Sequence, residues 1–488
     1  MKYWSDIIYF HVIPMSIKIG AILFIYLFFN YSIITSIFIF GLSYYTYLQF
    51  VYLLFGYRKI NGVETCVFSD NPANRFNMLG FCLISNFDAP AFKDLIIEKG
   101  INLMPRLRSK ITHFLFEHFW TSTSLSEAVS RVRIESPLKN LDDVYTFAVN
   151  ELNKPIDIFS ELPYEIYLVP YGDNNKKEGA LIMKFDHILC DGLGGVSFIC
   201  SLASNNEKSV YPKIMQNPRN NDTLITYIIG VLLFPYYTIK NMLLLFGPNY
   251  THTPFRDRSQ PANKSRFALS KTFPLNTFNE MRRKYNITFN DAMVTIVSRA
   301  VKSLMDKRKI KNENNYRMKC LIPYGMKKLP LKASDVQLTI DSYAFIAYVP
   351  LITSFEESKV ISHSLQSSIK NYNLILNLKW ILNIICNICT YKSISIFWAM
   401  FNNQCDLGLS NIPGPSKKLE FTYKEHHMVC ETIIPICTSA RALPYIPLMS
   451  YNGEFRFCLT IDESIKVDEK EFISIVEKMI ESVPKEEK

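Results

Sequence analysis

A histidine and an aspartate lie in a short segment that follows an apolar run and leads into a glycine-rich turn. The run covers 180–183, the segment contains Asp186, His187 and Asp191, and Gly192 follows. The pattern predicts a buried strand that ends in a turn. Because the ordinary pKa of histidine lies near neutral pH, His187 can accept a proton from a hydroxyl group and return it later. A structural His–Asp pair is the more common meaning of so short a pattern, so the case for catalysis depends on the rest of the chain.

The length and charge of the chain limit its class. With 488 residues it is too long for one compact core, so two or more domains are expected. Hydrophobic residues make up 48% and aromatic residues 14%, which is ample for large cores. The net charge of +10 is spread along the chain without an arginine-rich signature. We therefore expect no nucleic-acid partner, and a basic surface suits anionic lipid headgroups better.

The cysteines and histidines form no recognisable metal-binding pattern. The eleven cysteines are scattered, and Cys386 and Cys389 form a C-x-x-C without a second pair at zinc-ligand spacing. His426 and His427 follow Glu425, but no further ligand is evident nearby. We expect no metal, and we interpret the cysteines as buried free thiols of a reducing compartment.

The N-terminus predicts a retained membrane anchor. Residues 19–56 contain no charged side chain, and this span of 38 residues exceeds the roughly 20 that one crossing needs. It divides near residue 31 into two predicted helices, 13–29 and 33–54. Lys2 and Lys18 precede the span, and Arg58 and Lys59 follow it, so the positive-inside rule places both flanks of a hairpin in the cytosol. One long tilted helix is the alternative.

The remaining chain alternates between strand-like and helical patterns, which predicts an α/β (α+β) fold. Predicted strands are 81–84, 165–169, 180–185, 320–322, 342–349 and 455–461. Predicted helices are 91–98, 124–132, 275–285, 290–306 and 468–483. Polar stretches at 204–222 and 249–265 bracket an apolar segment at 224–246, and a second apolar segment covers 374–401. We interpret both apolar segments as interfacial or lipid-gating helices, with buried core helices as the alternative.

These boundaries give four predicted units. Residues 1–57 form the membrane anchor, 58–215 an N-terminal lobe, 216–265 a membrane-facing connector, and 266–488 a C-terminal lobe.

Five short motifs accompany the histidine segment along the chain: M-P-R-L-R at 104–108, L-P-Y-E at 162–165, N-D-A-M at 290–293, S-N-I-P-G-P at 410–415 and S-Y-N-G at 450–453. In type and order, these motifs and the histidine segment resemble the wax ester synthase/diacylglycerol acyltransferase family, whose motif is H-H-x-x-x-D-G. Each is weak alone, and the set is specific. The resemblance covers nearly everything after the anchor. The departure is Asp186, which stands where the family has its first histidine, while His187 occupies the second.

The resemblance implies two lobes similar to chloramphenicol acetyltransferase, with a central tunnel that holds the histidine. It assigns His187 and Asp191 as the catalytic pair, with His187 as general base. Asp191 would orient the turn without touching the substrate, and Gly192 would permit the tight turn. Asp186 could raise the basicity of His187 or point to the other face of the strand, and strand alternation favours the second. Asn290 would bind substrate or cap its helix, with Asp291 beside it. Asn411, Pro413 and Gly414 would line the tunnel or form a rigid connector.

The implied activity is transfer of a fatty acyl group from acyl-CoA to a long-chain alcohol or diacylglycerol at a membrane. No cofactor is expected, because acyl-CoA is a co-substrate. The expected location is the endoplasmic reticulum membrane with a cytosolic catalytic body, or a lipid droplet. Two alternatives remain open. One is an acyltransferase of the same fold with another donor or acceptor, and the other is a non-catalytic lipid-binding or lipid-droplet protein, which the replaced first histidine favours.

Overall fold

The computed structural model describes residues 13–29, 31–60, 64, 77–114, 117–172, 177–204, 253–256, 262, 264–310, 317–325, 335–340, 342–376, 403–438 and 443–483, with isolated positions between 228 and 243. All six predicted strands and all five predicted helices of the α/β region are present within these ranges, with ends that differ by a few residues. Most of the connector lies outside the described residues. So are the apolar segment from 377 onward and the pair Cys386 and Cys389.

The described elements follow the chain in a mixed α/β order. The helices are α1 (Ile13–Phe29), α2 (Ile33–Phe55), α3 (Ala89–Leu95), α4 (Leu125–Ser130), α5 (Leu141–Asn153), α6 (Gly192–Leu202), α7 (Asn279–Tyr285), α8 (Phe289–Lys307), α9 (Ser358–Leu376) and α10 (Glu469–Glu481). The strands of the first half are β1 (Arg58–Lys59), β2 (Asn77–Ser85), β3 (Ser109–Phe114), β4 (Glu117–Ser122), β5 (Val132–Ile134), β6 (Tyr164–Tyr171) and β7 (Glu178–Asp186). Those of the second half are β8 (Ser265–Leu269), β9 (Phe273–Pro274), β10 (Arg317–Gly325), β11 (Ser342–Pro350), β12 (Leu407–Ile412), β13 (Glu420–Tyr423), β14 (His426–Cys437), β15 (Tyr445–Tyr451) and β16 (Glu454–Asp462).

The predicted N-terminal hairpin is present as α1 and α2, which pack against each other. Ser32 caps α2 by accepting a hydrogen bond from the Thr35 amide, and Gly56 ends the helix in the left-handed region at φ 68°. A glycine suits that position because it has no Cβ to clash. Within the described residues, α2 is the one helix long and apolar enough to cross a membrane by length and composition.

A small sheet follows the hairpin. Its three strands have the order β1-β4-β3 and are antiparallel, with Lys59 opposite Phe119. Its core residues Ile60, Ile111 and Trp120 pack in one cluster with Ile188, which immediately follows His187. The sheet therefore joins the N-terminal hairpin to the histidine turn.

The N-terminal lobe is built on a six-stranded sheet with the order β13-β14-β2-β7-β6-β5. Alternation along β7 places Phe185 in the core beneath α3 and α6, and Ile182 in the core beneath α5. Helices cover both faces of the central strand, which explains why β7 is buried almost throughout. The strand can therefore hold the turn at its end in a fixed position.

The C-terminal lobe is built on the order β11-β10-β12-β15-β16-β8, with β9 paired to β16. Its central pairs β10–β12 and β12–β15 are parallel, and the outer pairs are antiparallel. Residues of α8, α9 and α10 fill the core on this sheet. The predicted α/β class with two lobes is confirmed, and the tunnel stays a prediction.

The two lobes exchange elements, and the predicted domain boundaries do not account for this exchange. Strands β13 and β14 lie within the predicted C-terminal lobe, yet β14 pairs antiparallel with β2 of the N-terminal sheet. Val336 and Leu338, from the segment between β10 and β11, also pack in the N-terminal core. The predicted units are therefore not separate along the chain, because parts of 266–488 complete the N-terminal lobe.

Candidate active site

The histidine turn begins where β7 ends at Asp186 and finishes where α6 begins at Gly192. Asp191 is the N-cap of α6, because its Oδ1 accepts a hydrogen bond of 2.8 Å from the Gly194 amide. A carboxylate at a helix N-terminus satisfies a free amide and interacts favourably with the helix dipole. The buried carboxylate thus fixes the start of α6, which agrees with the architectural role expected for Asp191.

Asp186 secures the other end of the turn. Its Oδ1 accepts a hydrogen bond of 3.0 Å from the Ile188 amide, and its own amide donates to the Pro163 carbonyl at 2.9 Å. The side chain is buried. Since Phe185 belongs to the core beneath α6, alternation directs Asp186 to the opposite face of the sheet. The residue that departs from the family motif therefore shapes the turn.

His187 lies between these two carboxylates, with a partly exposed side chain and a buried Nδ1 atom. Burial lowers the pKa of His187, and the negative charge of Asp191 and a backbone hydrogen bond oppose this shift without cancelling it. A lowered pKa favours the neutral imidazole at neutral pH. Such an imidazole carries a nitrogen lone pair that can accept a proton.

Arg106 supports the turn and was missed as a site residue by the sequence analysis. Its Nη2 donates to the Ile188 carbonyl at 3.2 Å and forms an ion pair with the buried Glu64. The guanidinium lies 3.5 Å from the centre of the Trp120 ring, whose Nε1 donates to Glu64 at 3.2 Å. The available signal was the M-P-R-L-R match, which contains Arg106.

The L-P-Y-E match also converges on the turn. Pro163 accepts the Asp186 amide, and Tyr164 lies opposite Phe185 in the β6–β7 register. The Tyr164 hydroxyl donates to the Leu107 carbonyl at 2.8 Å, inside the M-P-R-L-R match. Two motifs that are far apart in sequence are therefore connected to the histidine turn by backbone and side-chain hydrogen bonds.

A small apolar cavity lies behind the turn. Its walls include Tyr164, Met183, Leu189, Phe198 and Leu338, and its volume is about 20 Å³. This space holds about one water molecule. It is therefore too small for an acyl chain in the described conformation.

The N-D-A-M match begins α8, but the predicted cap at Asn290 is wrong. Thr288 is the N-cap, and Asp291 completes a capping box: the Thr288 hydroxyl accepts the Asp291 amide at 3.1 Å, and Asp291 Oδ2 accepts the Thr288 amide at 2.9 Å. Asp291 also accepts from the Ser362 hydroxyl and is buried. The Asn290 side chain is exposed and accepts a hydrogen bond of 2.7 Å from Asn411 Nδ2. Asp291 is thus structural, and Asn290 is accessible.

The S-N-I-P-G-P match forms a tight connection at the end of β12. The Gly414 amide donates to the Ser450 hydroxyl at 3.2 Å, and a Cβ on Gly414 would lie 1.9 Å from the Ser450 carbonyl oxygen. Glycine is required here because any side chain would collide with that backbone. Pro413 is partly exposed beside it. The geometry supports the rigid connector that was one of the two alternatives for this loop.

The predicted site residues come together where the lobes meet. A Cβ on Gly192 would lie 2.8 Å from the Ile412 side chain, so the start of α6 contacts the residue after Asn411. The Asp191 amide also donates to the Thr339 carbonyl at 3.4 Å. His187, Asp191, Gly192, Asn411 and Asn290 therefore occupy one region. Within the described residues no group of three or more potential metal ligands occurs, and the absence of a metal stays a prediction.

The two interlocked lobes, with the histidine turn at their junction, form a mixed α/β fold that is also found in solved acyltransferase and condensation-domain structures. Three solved structures share the fold. The wax ester synthase/diacylglycerol acyltransferase from Marinobacter aquaeolei VT8 is 16% identical with a TM-score of 0.57, covering 87% of this chain and 98% of that one. The trichothecene 15-O-acetyltransferase from Fusarium sporotrichioides is 9% identical with a TM-score of 0.64, covering 87% and 94%. A starter condensation domain of rhizomide synthetase is 8% identical with a TM-score of 0.55, covering 87% and 95%.

A match to a protein family narrows the class further. Residues 362–483 match the WS/DGAT C-terminal domain. No curated protein matches the chain significantly in sequence. The family match and the shared fold confirm the resemblance to the wax ester synthase/diacylglycerol acyltransferase family, and together they support an acyltransferase of this type.

Proposed function

We propose that this protein is a membrane-associated O-acyltransferase that transfers a fatty acyl group from acyl-CoA to a long-chain alcohol or diacylglycerol. The observation that carries the proposal is His187 on a turn secured by Asp186 and Asp191, with burial favouring its neutral form. A rigid, neutral imidazole at the junction of two lobes is suited to general-base chemistry. The match of residues 362–483 to the WS/DGAT C-terminal domain supports this reaction class.

The reaction follows from this assignment. His187 accepts the proton of the acceptor hydroxyl while the oxygen attacks the thioester carbon. The carbonyl π electrons move to oxygen, and the resulting oxyanion requires hydrogen-bond donors where the charge develops. When the tetrahedral intermediate collapses, the C–S bond breaks and the CoA thiolate takes the proton from His187. The ester and free CoA leave, and the imidazole is again neutral. No covalent acyl-enzyme is needed.

The donor and the membrane are supported by separate observations. The rhizomide synthetase condensation domain with this fold was crystallised with C8-CoA, so the fold accommodates an acyl-CoA in that protein. The hairpin of α1 and α2 exposes large apolar side chains along both helices. A hairpin in the endoplasmic reticulum membrane or on a lipid droplet would bring the cytosolic site close to acceptors that partition into lipid.

A non-catalytic lipid-binding protein is the second candidate, because Asp186 replaces the family's first histidine. The hydrogen bond from the Ile188 amide to Asp186 weakens this alternative, since the replacement maintains the turn that presents His187. A different donor or acceptor is the third candidate, and the acetyltransferase and condensation-domain structures with this fold favour it.

The experiment compares wild type with His187→Ala in membranes from cells that lack neutral-lipid synthesis. Labelled acyl-CoA is offered with a long-chain alcohol and diacylglycerol in competition. We expect the variant to lose about 10²–10⁴-fold in ester formation. His427→Ala is the matched control, because His427 is 54% exposed on β14. Equal ester formation by wild type and His187→Ala would overturn the proposed base, and the ratio of the two products identifies the acceptor.

A further inference from the structure

One largely buried carboxylate connects the N-terminal hairpin to the catalytic body. Glu117 is the first residue of β4, and its carboxylate forms ion pairs with Lys18 of α1 at 2.5 Å and Lys59 of β1 at 3.2 Å. The Tyr44 hydroxyl of α2 donates to the same carboxylate at 2.6 Å. Both helices of the hairpin are therefore held by a single residue of the small sheet.

The ionised form of Glu117 is the favoured one. Burial opposes ionisation, but Lys59, Lys18 and the Tyr44 hydroxyl together lower the pKa of Glu117. A buried charge that loses its partner is strongly unfavourable, so the hairpin and the body are expected to stay attached at neutral pH. The point along the hairpin at which Glu117 makes these contacts is therefore fixed.

That position divides the hairpin into two halves. Eleven residues of α1 follow Lys18, and eleven residues of α2 precede Tyr44. At 1.5 Å per residue, each arm projects about 16 Å beyond the Glu117 contact. The hydrocarbon core of a bilayer is about 30 Å thick, so the arms reach roughly its midplane.

The half of α2 beyond Tyr44 lies along the small sheet. Val51 is 2% exposed, and Phe55 contacts Phe114 with ring centres 5.5 Å apart. If the hydrocarbon covered this half too, it would surround the sheet and the partly exposed Lys110. Placing ionised side chains in hydrocarbon is costly. The membrane surface is therefore expected near Tyr44.

The tip of the hairpin, residues 31–32, has the properties expected of a segment that lies within the membrane interior. The residues around it are apolar and exposed, including Phe28 at 70% and Ile34 at 77%. Polar groups of Ser32 bond within the hairpin: its hydroxyl accepts the Thr35 amide, and its carbonyl accepts the Ser36 hydroxyl. A tip that emerged on the far side of a bilayer would expose these apolar side chains to water.

We infer that α1 and α2 enter a single phospholipid leaflet, that the tip stays within the membrane interior, and that Glu117 sets the depth of insertion. This inference rests on the proposed membrane association. The small sheet then lies at the leaflet surface, and its cluster with Ile188 holds the histidine turn directly above it. The same insertion would fit the monolayer around neutral lipid, because neither case requires a far-side aqueous phase.

The topology is tested by labelling Ile34→Cys with a membrane-impermeant maleimide on sealed microsomes that carry the full chain. The parent chain gives the background, and Lys110→Cys is the control for the cytosolic surface. We expect Lys110→Cys to react in sealed vesicles and Ile34→Cys to react only after detergent dissolves the bilayer. Reaction of Ile34→Cys once the lumen alone is opened would overturn the inference and leave the membrane association intact. Release of the wild-type chain by alkaline carbonate would overturn both.

The role of Glu117 is tested with a fluorophore on Ile34→Cys in vesicles that contain quenchers at defined depths. In the parent background, the quencher near the bilayer centre should be the most effective. Glu117→Gln removes the charge that Lys18 and Lys59 require, so the depth profile should shift. Glu127→Gln is the matched control, because Glu127 forms a more exposed pair with Lys110 at 3.8 Å. An unchanged profile in Glu117→Gln would overturn the depth-setting role.

Discussion

The guanidinium of Arg106 donates to the Ile188 carbonyl at 3.2 Å, one residue beyond the proposed base. The same group forms an ion pair with Glu64 and stacks on Trp120 of the small sheet. The histidine turn is therefore held from outside by a cation that also packs against the small sheet. Arg106 acts through the backbone of the turn, and its expected effect is on the placement of His187.

Arg106→Ala should destabilise the protein by about 3–5 kcal/mol, because it leaves the Glu64 carboxylate buried without its cation. The combined change Arg106→Met with Glu64→Leu removes both charges and should restore much of the thermal stability. It should not restore kcat, since the Ile188 carbonyl still lacks its donor. Thermal unfolding and ester formation are measured for both. A double variant with full activity would exclude the positioning role.

The acid limb of kcat/KM should report the pKa of His187. Because burial lowers that pKa, the base remains neutral down to a pH below the ordinary value of 6.5. Activity should be level at neutral pH and fall only as acidification protonates the imidazole. The pH–rate profile of ester formation checks this. An acid limb centred above 6.5 would contradict the geometry.

Asp191→Asn tests whether the charge of Asp191 affects the pKa of His187 that the acid limb reports. The asparagine oxygen can still accept the Gly194 amide, so the cap of α6 should persist. The negative charge that raises the pKa of His187 is lost, and the acid limb should therefore move to lower pH. A shift to higher pH would show that Asp191 affects His187 in another way.

Asp186 should be replaceable by asparagine and not by alanine. Asp186→Asn keeps an oxygen that accepts the Ile188 amide, whereas Asp186→Ala leaves that amide without its acceptor. The alanine variant should lose about 1–3 kcal/mol of stability, with a lower kcat. Chemical denaturation and ester formation are measured side by side. If the asparagine variant is inactive but stable, the carboxylate charge has a role beyond the turn.

The local part of the site was predictable, and the long-range part was not. An apolar strand, a glycine-rich turn and a helix follow one another in sequence, so the position of His187 could be predicted from periodicity. The Thr288–Asp291 capping box could also be predicted, because a threonine three residues before an acidic side chain commonly marks the start of a helix. The pairing of β14 with β2 and the hydrogen bond from Arg106 to Ile188 depend on tertiary packing, which a local pattern does not encode.

Gly414→Ala should be among the more damaging small changes in the C-terminal lobe. Its Cβ would lie 1.9 Å from the Ser450 carbonyl oxygen, and relief requires movement of two backbone segments. The expected cost is at least about 1–3 kcal/mol, the usual range for overpacking. Gly41→Ala is the control, because no heavy atom lies within 4 Å of its Cβ position. Thermal unfolding in detergent should separate the two, and equal midpoints would contradict the close approach.

The hydrogen bond between Asn411 and Asn290 should couple β12 to the start of α8. Asn411→Ala and Asn290→Ala each remove one partner of the 2.7 Å contact, so the double variant should cost less than the sum of the single variants. The expected coupling is about 0.5–1 kcal/mol, because Asn290 is exposed to water. A control cycle that combines Asn411→Ala with Asn140→Ala should be additive, because the Asn140 side chain caps α5.

Activity distinguishes the two alternatives for Asn290. If it binds substrate, Asn290→Ala raises KM while Asn411→Ala has a smaller effect. If it only joins the two elements, the two variants change KM and kcat equally.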